Sequence, residues 1–373
     1  MRIVHLGTSL LPIPHRRGGA LERRILEMAR LQAAAGHEVV VLSPGARGGV
    51  DELDGVQIHN LRLYARRPAR DYEFLARARA WARHRPRADV LHAHGSPVAA
   101  AVLGDRFTAT VHSVDWYTYR WTARRLPHRY YQSRLAAFDV HLAASEYCAA
   151  GFRRFYPRVA PRTGVLYNGV NRRQFRRDPR AAEHARDRLG LPAGPLVVYL
   201  GRVCAQKGSD LLAPLATHLR GVVPEATVVA AGPGATFAGD GPSRLAADLS
   251  AAGVHCLGAI DEDLVAGLLA AAAVAVLPTR HDEMFGMAAL EAVACGTPVV
   301  AADLGGIPEA VGPCALLFPP GDAHAFAAAV TRVLTEPGLA DRLAAGVDEH
   351  VARFDWAAVV DEAMTHYDRV LDD

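Results

Sequence analysis

Apolar residues along this chain fall in short runs, separated by longer stretches in which they recur every three or four positions. The short runs read as buried strands and the longer stretches as amphipathic helices. Their alternation is the mark of parallel α/β sheets covered by helices on both faces. In the first half the pattern predicts strands at Arg2–Leu6, Glu38–Ser43, Val90–Ala93, Phe107–Val111 and His141–Ala144. A helix over Gly19–Ala35 fills the first gap and stops at Gly36, a residue suited to the left-handed turn that ends helices. Two helical stretches before residue 90 carry Arg77, Arg79, Arg83, Arg85 and Arg87.

The pattern restarts after the Pro/Gly-bearing stretch Leu191–Pro195. Strands are predicted at Leu196–Leu200, Thr227–Ala231, Val254–Leu257, Val274–Leu277 and Pro298–Ala302, which makes a second doubly wound sheet. The expected division is a domain over 1–170 and another over 171–355, joined near Asn168–Phe175. A last helix, Trp356–Leu371, is expected to cross back to the first domain. Two such Rossmann-like domains, facing each other, would leave a cleft at the carboxyl ends of their strands, where open α/β sheets bind ligands.

Length and composition fit this picture. The chain has 373 residues, half of them apolar and 22% charged, enough for two packed cores. Its longest apolar run, Ala266–Pro278, is shorter than the ~18–20 residues of a membrane span. The first residues read as strand and loop rather than a secretory leader. Five cysteines without a C-x-x-C pair argue against a disulfide framework or zinc site, so the expected location is the cytoplasm. Charge is unevenly spread: residues 1–170 hold 26 arginines against 13 acidic residues, whereas the remainder is net −10. A basic half beside an acidic half suggests that one domain faces something anionic. Lys207 is the only lysine among 42 basic residues, which marks a place where a compact ammonium is needed.

Candidate chemistry gathers at strand ends. The first strand runs into a loop whose Gly18 and Gly19 open a helix, a place where backbone can approach an anion. The spacing G-x-G-x-x-G is absent, which counts against a dinucleotide site. In LVVYLGRVCAQKGSDLL, Arg202 and Lys207 follow a strand and offer a fork and a point charge for phosphate oxygens. In PTRHDEMFGMAALEAVACGTPVV, a strand gives way to a loop with Glu283, then to a helix starting near Phe285-Gly286. The amides of Phe285, Gly286 and Met287 would face an anion, and Glu291 would accept from vicinal hydroxyls such as those of a ribose. Glu283 would do the same for a hexose. The plainer reading makes Glu283 a helix-dipole partner and Glu291 a solvated residue. Asp261-Glu262-Asp263 matches a D-x-D metal pattern but also starts a helix, and capping explains it better. His92 and His94 alternate on a strand without a third ligand at a convincing spacing. The aromatic and arginine-rich stretch Asp115–Tyr131 reads as facing an acceptor or a membrane rather than nucleic acid.

These segments, with YNGVNRRQF, AAGPG, GGIPEAV and GDAHAFAAAV, resemble glycosyltransferase family four, the retaining glycosyltransferases of the GT-B fold, over nearly the whole chain. The resemblance implies transfer of a hexosyl or N-acetylhexosaminyl group from a nucleoside-diphosphate sugar to a small-molecule or lipid-linked acceptor, in envelope glycan or natural-product synthesis. UDP is the base expected first, with GDP and ADP open, and neither cofactor nor metal is expected. By the same resemblance Arg202 and Lys207 would hold the diphosphate, Glu291 the ribose, and Glu283 the sugar with the Phe285–Met287 amides. Gly19 would lie under the phosphates and His112 near the anomeric centre. Met284 departs from the family's usual Gly or Pro. Peripheral contact with an acidic membrane, through arginines from Arg62 to Arg87 with Trp81, is a further expectation. A nucleotide-sugar epimerase on this fold and a non-catalytic relative are the rival readings.

Overall fold

The computed structural model describes residues 1–14, 19–66, 69–114, 128–234 and 244–372. It is an α/β chain that divides into two compact units, Met1–Gly169 with Trp356–Asp373, and Val170–Asp355.

The first unit holds an eight-stranded sheet in the order β3-β4-β2-β1-β5-β6-β7-β8. The strands are β1 (Arg2–Leu6), β2 (Glu38–Gly45), β3 (Gly49–Leu53), β4 (Val56–Arg62), β5 (Ala88–His94), β6 (Phe107–Val114), β7 (Val140–Ala143) and β8 (Thr163–Val165). All neighbours pair in parallel except β3 and β4, an antiparallel hairpin that the apolar pattern did not predict. The hairpin escapes because every residue of β3 is at least partly exposed, so no buried run marks it. Its turn was signalled by Asp54-Gly55, both with positive φ (52° and 79°), the backbone that a tight two-residue hairpin needs. β8 is also additional, and a single helix, Ala69–Arg83, replaces the two expected before residue 90, leaving Arg85 and Arg87 in the loop beyond it.

The final helix, Trp356–Asp372, belongs to this unit's core. Trp356, Val359, Val360, Ala363 and Tyr367 pack with Ile3, Met28, Val90, Val111 and Leu166. Truncating Trp356, Ile3, Met28 or Leu166 to Ala should cost ~2–5 kcal/mol, as for other buried large apolar groups.

The second unit holds six parallel strands in the order β11-β10-β9-β12-β13-β14. They are β9 (Leu196–Leu200), β10 (Thr227–Ala231), β11 (His255–Gly258), β12 (Val274–Leu277), β13 (Val299–Ala302) and β14 (Ala315–Phe318), the last not predicted from the pattern. Successive strands spread one way from β9 and the other way from β12, so the order reverses between these two neighbours. In the first unit it reverses between β1 and β5. Such switch points are where open sheets bind ligands.

A buried network of neutral rings occupies the switch point of the first unit. His5 donates through Nε2 to Gln32 Oε1 (2.7 Å), which leaves its Nδ1 to accept from His94 Nε2 at 3.0 Å. Gln32 in turn donates to the Tyr367 hydroxyl (3.4 Å), which donates to His92 Nδ1 at 2.6 Å. His92 Nε2 then donates to Ser113 Oγ at 2.7 Å. The chain of bonds closes with every imidazole uncharged. Burial holds His5 down at about 4 and His141, on β7, at about 3, while His92, His94 and His112 lie well below the usual range. Arg24, itself buried, adds repulsion at His5, His92 and His94.

The sign of the pH dependence follows. These groups bind protons more readily in the unfolded chain, where the value is 6.5, than in the fold. Their contribution to stability is therefore complete above pH 6.5 and is lost as pH falls toward 4. Each histidine removes about 1.4 kcal/mol per pH unit within that window. Denaturant melts at pH 7.5, 6.0 and 5.0 should show a midpoint that drops steeply below 6.5. A midpoint unchanged down to pH 5 would contradict a neutral network.

Candidate functional site

Two loops meet at the switch point of the second unit, one leaving β9 and the other leaving β12. After β9 the chain passes through Gly201 and Arg202 into a short 3-10 turn, Ala205–Lys207. Tyr199, buried in β9, donates its hydroxyl to the Arg202 carbonyl at 2.6 Å and so fixes the start of this loop. Burial of Tyr199 pushes its hydroxyl well above the ordinary range, so it stays a donor. Gly208 ends the turn at φ 69°, and a Cβ there would lie 1.7 Å from the Pro278 carbonyl oxygen. Only glycine lets the Lys207 turn sit against the end of β12.

The second loop is tied to the first. The Arg280 amide donates to the Gln206 carbonyl at 3.1 Å, and its guanidinium reaches both Asp210 oxygens at 2.6 and 2.7 Å. Thr279 Oγ1 lies 3.3 Å from the Gln206 carbonyl and 3.4 Å from Glu283 Oε1. The loop after β13 supports Glu283 from below. The Gly306 amide donates to the Glu283 carbonyl at 2.8 Å, and a Cβ on Gly305 or Gly306 would lie 2.2 Å from that oxygen or 2.3 Å from the Met284 carbonyl.

This framework brings Lys207 Nζ onto Glu283 Oε1 as an ion pair, with side chains 25% and 19% exposed. Arg202 stands on the same loop as Lys207, partly exposed. The helix after Glu283 runs Met287–Ala294, two residues later than expected, with Gly286 as its N-cap. Phe285 contributes no side chain to a ligand, since its ring is 1% exposed and packs edge-on against Phe354 at 5.3 Å. Its neighbours Gly286 and Met287 belong to the helix's first turn, whose amides lack partners within the helix. Glu291 lies in the second turn and is only 4% exposed, so the solvated reading fails. It stands close enough to add to the burial that pushes the Cys295 thiol up to about 12.

The residues expected from the first unit are not gathered in this way. His112 sits two residues before the end of β6, fully buried, with Nδ1 3.1 Å from His141 Nδ1 and its ring 4.8 Å from Phe138. Its basicity is suppressed by burial, so in this conformation it is a poor proton acceptor at neutral pH. Gly19 is the N-cap of helix Ala20–Ala34, and a Cβ on it would lie 2.3 Å from Glu22 Oε2. A buried carboxylate of the helix itself thus occupies the neighbourhood proposed for phosphate. Gly18, and Asp115–Tyr131 as far as residue 127, lie outside the described residues. Trp81 is partly buried on the core, edge-on to His59 with the Arg85 guanidinium over its ring, while Arg77 and Arg79 pair with Glu73 and Asp105.

As to metals, Asp261 stands at a helix N-cap as expected, but its exposed side chain makes no capping bond. The acidic first turn still gains from the helix dipole. Among the described residues one group is compact enough for an ion, His5, His92 and His94, with ligand atoms within 4.8 Å. β1 supplies the third imidazole that sequence spacing could not reveal. The ring bonds to Gln32, Tyr367 and Ser113 and the nearby Arg24 charge suit neutral histidines better than a dication. Among the described residues no helix is long and apolar enough to cross a membrane. The supports Tyr199, Asp210, Gly305 and Gly306 were not identified from the sequence; only the paired glycines carried a readable signal, a second Gly-Gly at a strand end.

Comparison with known proteins bears on this arrangement. Residues 194–336, which hold the loops just described, match the family described as Glycosyl transferases group 1, and residues 18–174 match Glycosyltransferase Family 4. A D-inositol 3-phosphate glycosyltransferase of Streptomyces bingchenggensis is 36% identical over 255 residues, 63% of this chain and 55% of its own length. The chain thus spans about half the length of the curated relatives it matches. Sucrose-phosphate synthase of Thermosynechococcus elongatus shares the fold over the whole of both chains, with a TM-score of 0.81 at 24% identity. Anabaena HepE, solved with UDP and glucose, covers 98% of each chain with a TM-score of 0.75 at 21% identity. The chain is a member of the family-four, group 1 glycosyltransferases and carries their GT-B fold.

Proposed function

We propose that this glycosyltransferase moves a hexosyl or N-acetylhexosaminyl group from a UDP-sugar to an acceptor hydroxyl with retention at the anomeric carbon. The observation that carries the donor half is the union of Lys207 and Glu283 on interlocked loops at the β9/β12 switch point, beside the helix that buries Glu291. In this reading Arg202 grips two oxygens of the diphosphate and Lys207 a third. Glu291 accepts from the ribose hydroxyls, and Glu283 from hydroxyls of the sugar. The UDP and hexose assignment draws support from HepE, solved with UDP and glucose. The name of the Streptomyces relative points to a phosphorylated polyol acceptor, which the excess of arginine over acid in residues 1–170 would attract.

Chemistry then asks little covalent work of the protein. The bond from the anomeric carbon to the β-phosphate oxygen breaks, and the acceptor oxygen bonds to the same face of that carbon. The acceptor proton passes to the departing phosphate oxygen. Negative charge grows on that phosphate as the bond breaks, so fixed cations and first-turn amides stabilise the transition state more than the ground state. Arg202, Lys207 and the helix terminus supply this positive charge from the protein.

Purified protein incubated with UDP-, GDP- and ADP-hexoses should release nucleotide fastest from a UDP-sugar, and faster when inositol phosphates or related anionic polyols are added. Release indifferent to every acceptor, or epimerised donor without acceptor, would overturn the transfer reading. Arg202→Ala and Lys207→Ala should each lower kcat by 10²–10³, the ~3–4 kcal/mol of one lost transition-state contact, with circular dichroism unchanged. Near-normal turnover in either would remove the phosphate role. EDTA should leave the rate intact; loss restored by Mn²⁺ or Mg²⁺ would show that a metal supplies the charge instead.

A further inference from the structure

Lys207 and Glu283 are assigned to different parts of the donor, yet the fold bonds them to each other. The loops that carry them cannot separate easily. Gly208 is pressed on the Pro278 carbonyl, Arg280 is bonded to Gln206 and Asp210, and Gly305 and Gly306 lie against Glu283 and Met284. The pair is therefore parted by side-chain rotation on a fixed frame. Taking one partner from a partly buried ion pair is costly unless the abandoned charge gains a new partner.

We propose that this ion pair is a release latch: it opens for an intact nucleotide-sugar and re-forms once the sugar has gone, displacing the nucleoside diphosphate. The inference rests on the donor assignment above. An intact donor satisfies both halves, with phosphate oxygens for the ammonium and sugar hydroxyls for the carboxylate. A nucleoside diphosphate satisfies only the ammonium. Glu283 is then left beside added negative charge, with the neutral Thr279 hydroxyl 3.4 Å away. Reclaiming Lys207 is its better option, and the diphosphate is weakened by the worth of the pair.

The consequence differs from that of a residue that touches only the sugar. Neutralising such a residue leaves nucleoside diphosphate binding unchanged, because that ligand has no sugar. Neutralising a latch removes a competitor for Lys207 and tightens binding. Calorimetry with UDP, GDP and ADP on the wild type, Glu283→Gln, Glu283→Asp, Lys207→Ala and the double variant Glu283→Gln/Lys207→Ala separates the two. Glu283→Gln should bind its preferred nucleoside diphosphate about 10-fold tighter. Glu283→Asp, which keeps the charge, should show no such gain, and the gain should vanish in the Lys207→Ala background. On the wild type itself, a phosphonate analogue of the UDP-sugar should bind tighter than UDP, a comparison that needs no variant to fold. Unchanged or weaker nucleotide binding by Glu283→Gln, with Lys207→Ala weakened, overturns the latch alone, as does equal binding of UDP and the analogue. Absence of nucleotide binding by the wild type and all variants overturns the donor assignment together with the latch.

Discussion

Backbone pressed against backbone at the carboxyl ends of β9 and β12 is the constraint on which the site depends. No side chain fits at Gly208 against Pro278, or at Gly305 and Gly306 against the loop of Glu283. This closeness sets two charged side chains, 76 residues apart in sequence, within reach of each other. Parallel register supplies the rest, since β9 and β12 pair directly through Val198 and Ala275 and so end at the same level. Adding one methyl group at Gly208 would push the lysine turn off the sheet, and the effect would reach Glu283 without touching it.

The same reasoning separates what was legible in the sequence from what was not. Lys207 stood out because every other basic residue is arginine, and Glu283 and Glu291 by their spacing across a helix start. Their order in the chain said nothing of the ion pair, which depends on β9 lying beside β12 rather than on any local pattern. Burial of Glu291 was foreshadowed by Leu290, Ala292 and Val293 around it. His112 was placed near the anomeric centre by resemblance alone, and in the structure β6 runs two residues beyond it and its ring turns to His141 and Phe138. Hydrophobic periodicity reports which residues are buried, not what a buried polar residue meets.

The two switch points carry different chemistry. In the first unit, neutral imidazoles, an amide and two hydroxyls hydrogen-bond one another near the buried Arg24. Tyr367 joins this network to the final helix, so the polar interior and the apolar packing of that helix share one residue. In the second unit, partly exposed charges of opposite sign face solvent, and the polar groups are left where a ligand can exchange for them. The first arrangement holds a fold together at neutral pH, and the second is suited to binding.

Because the chain has one lysine, its donor role is open to direct observation. Protein grown with lysine labelled at the ε-carbon with carbon-13 and at Nζ with nitrogen-15 has a single labelled residue, Lys207. If Lys207 holds the donor diphosphate, adding UDP-sugar or UDP should shift its side-chain resonance saturably, with the midpoint that calorimetry gives for binding. A resonance that stays still while the nucleotide demonstrably binds would contradict the account.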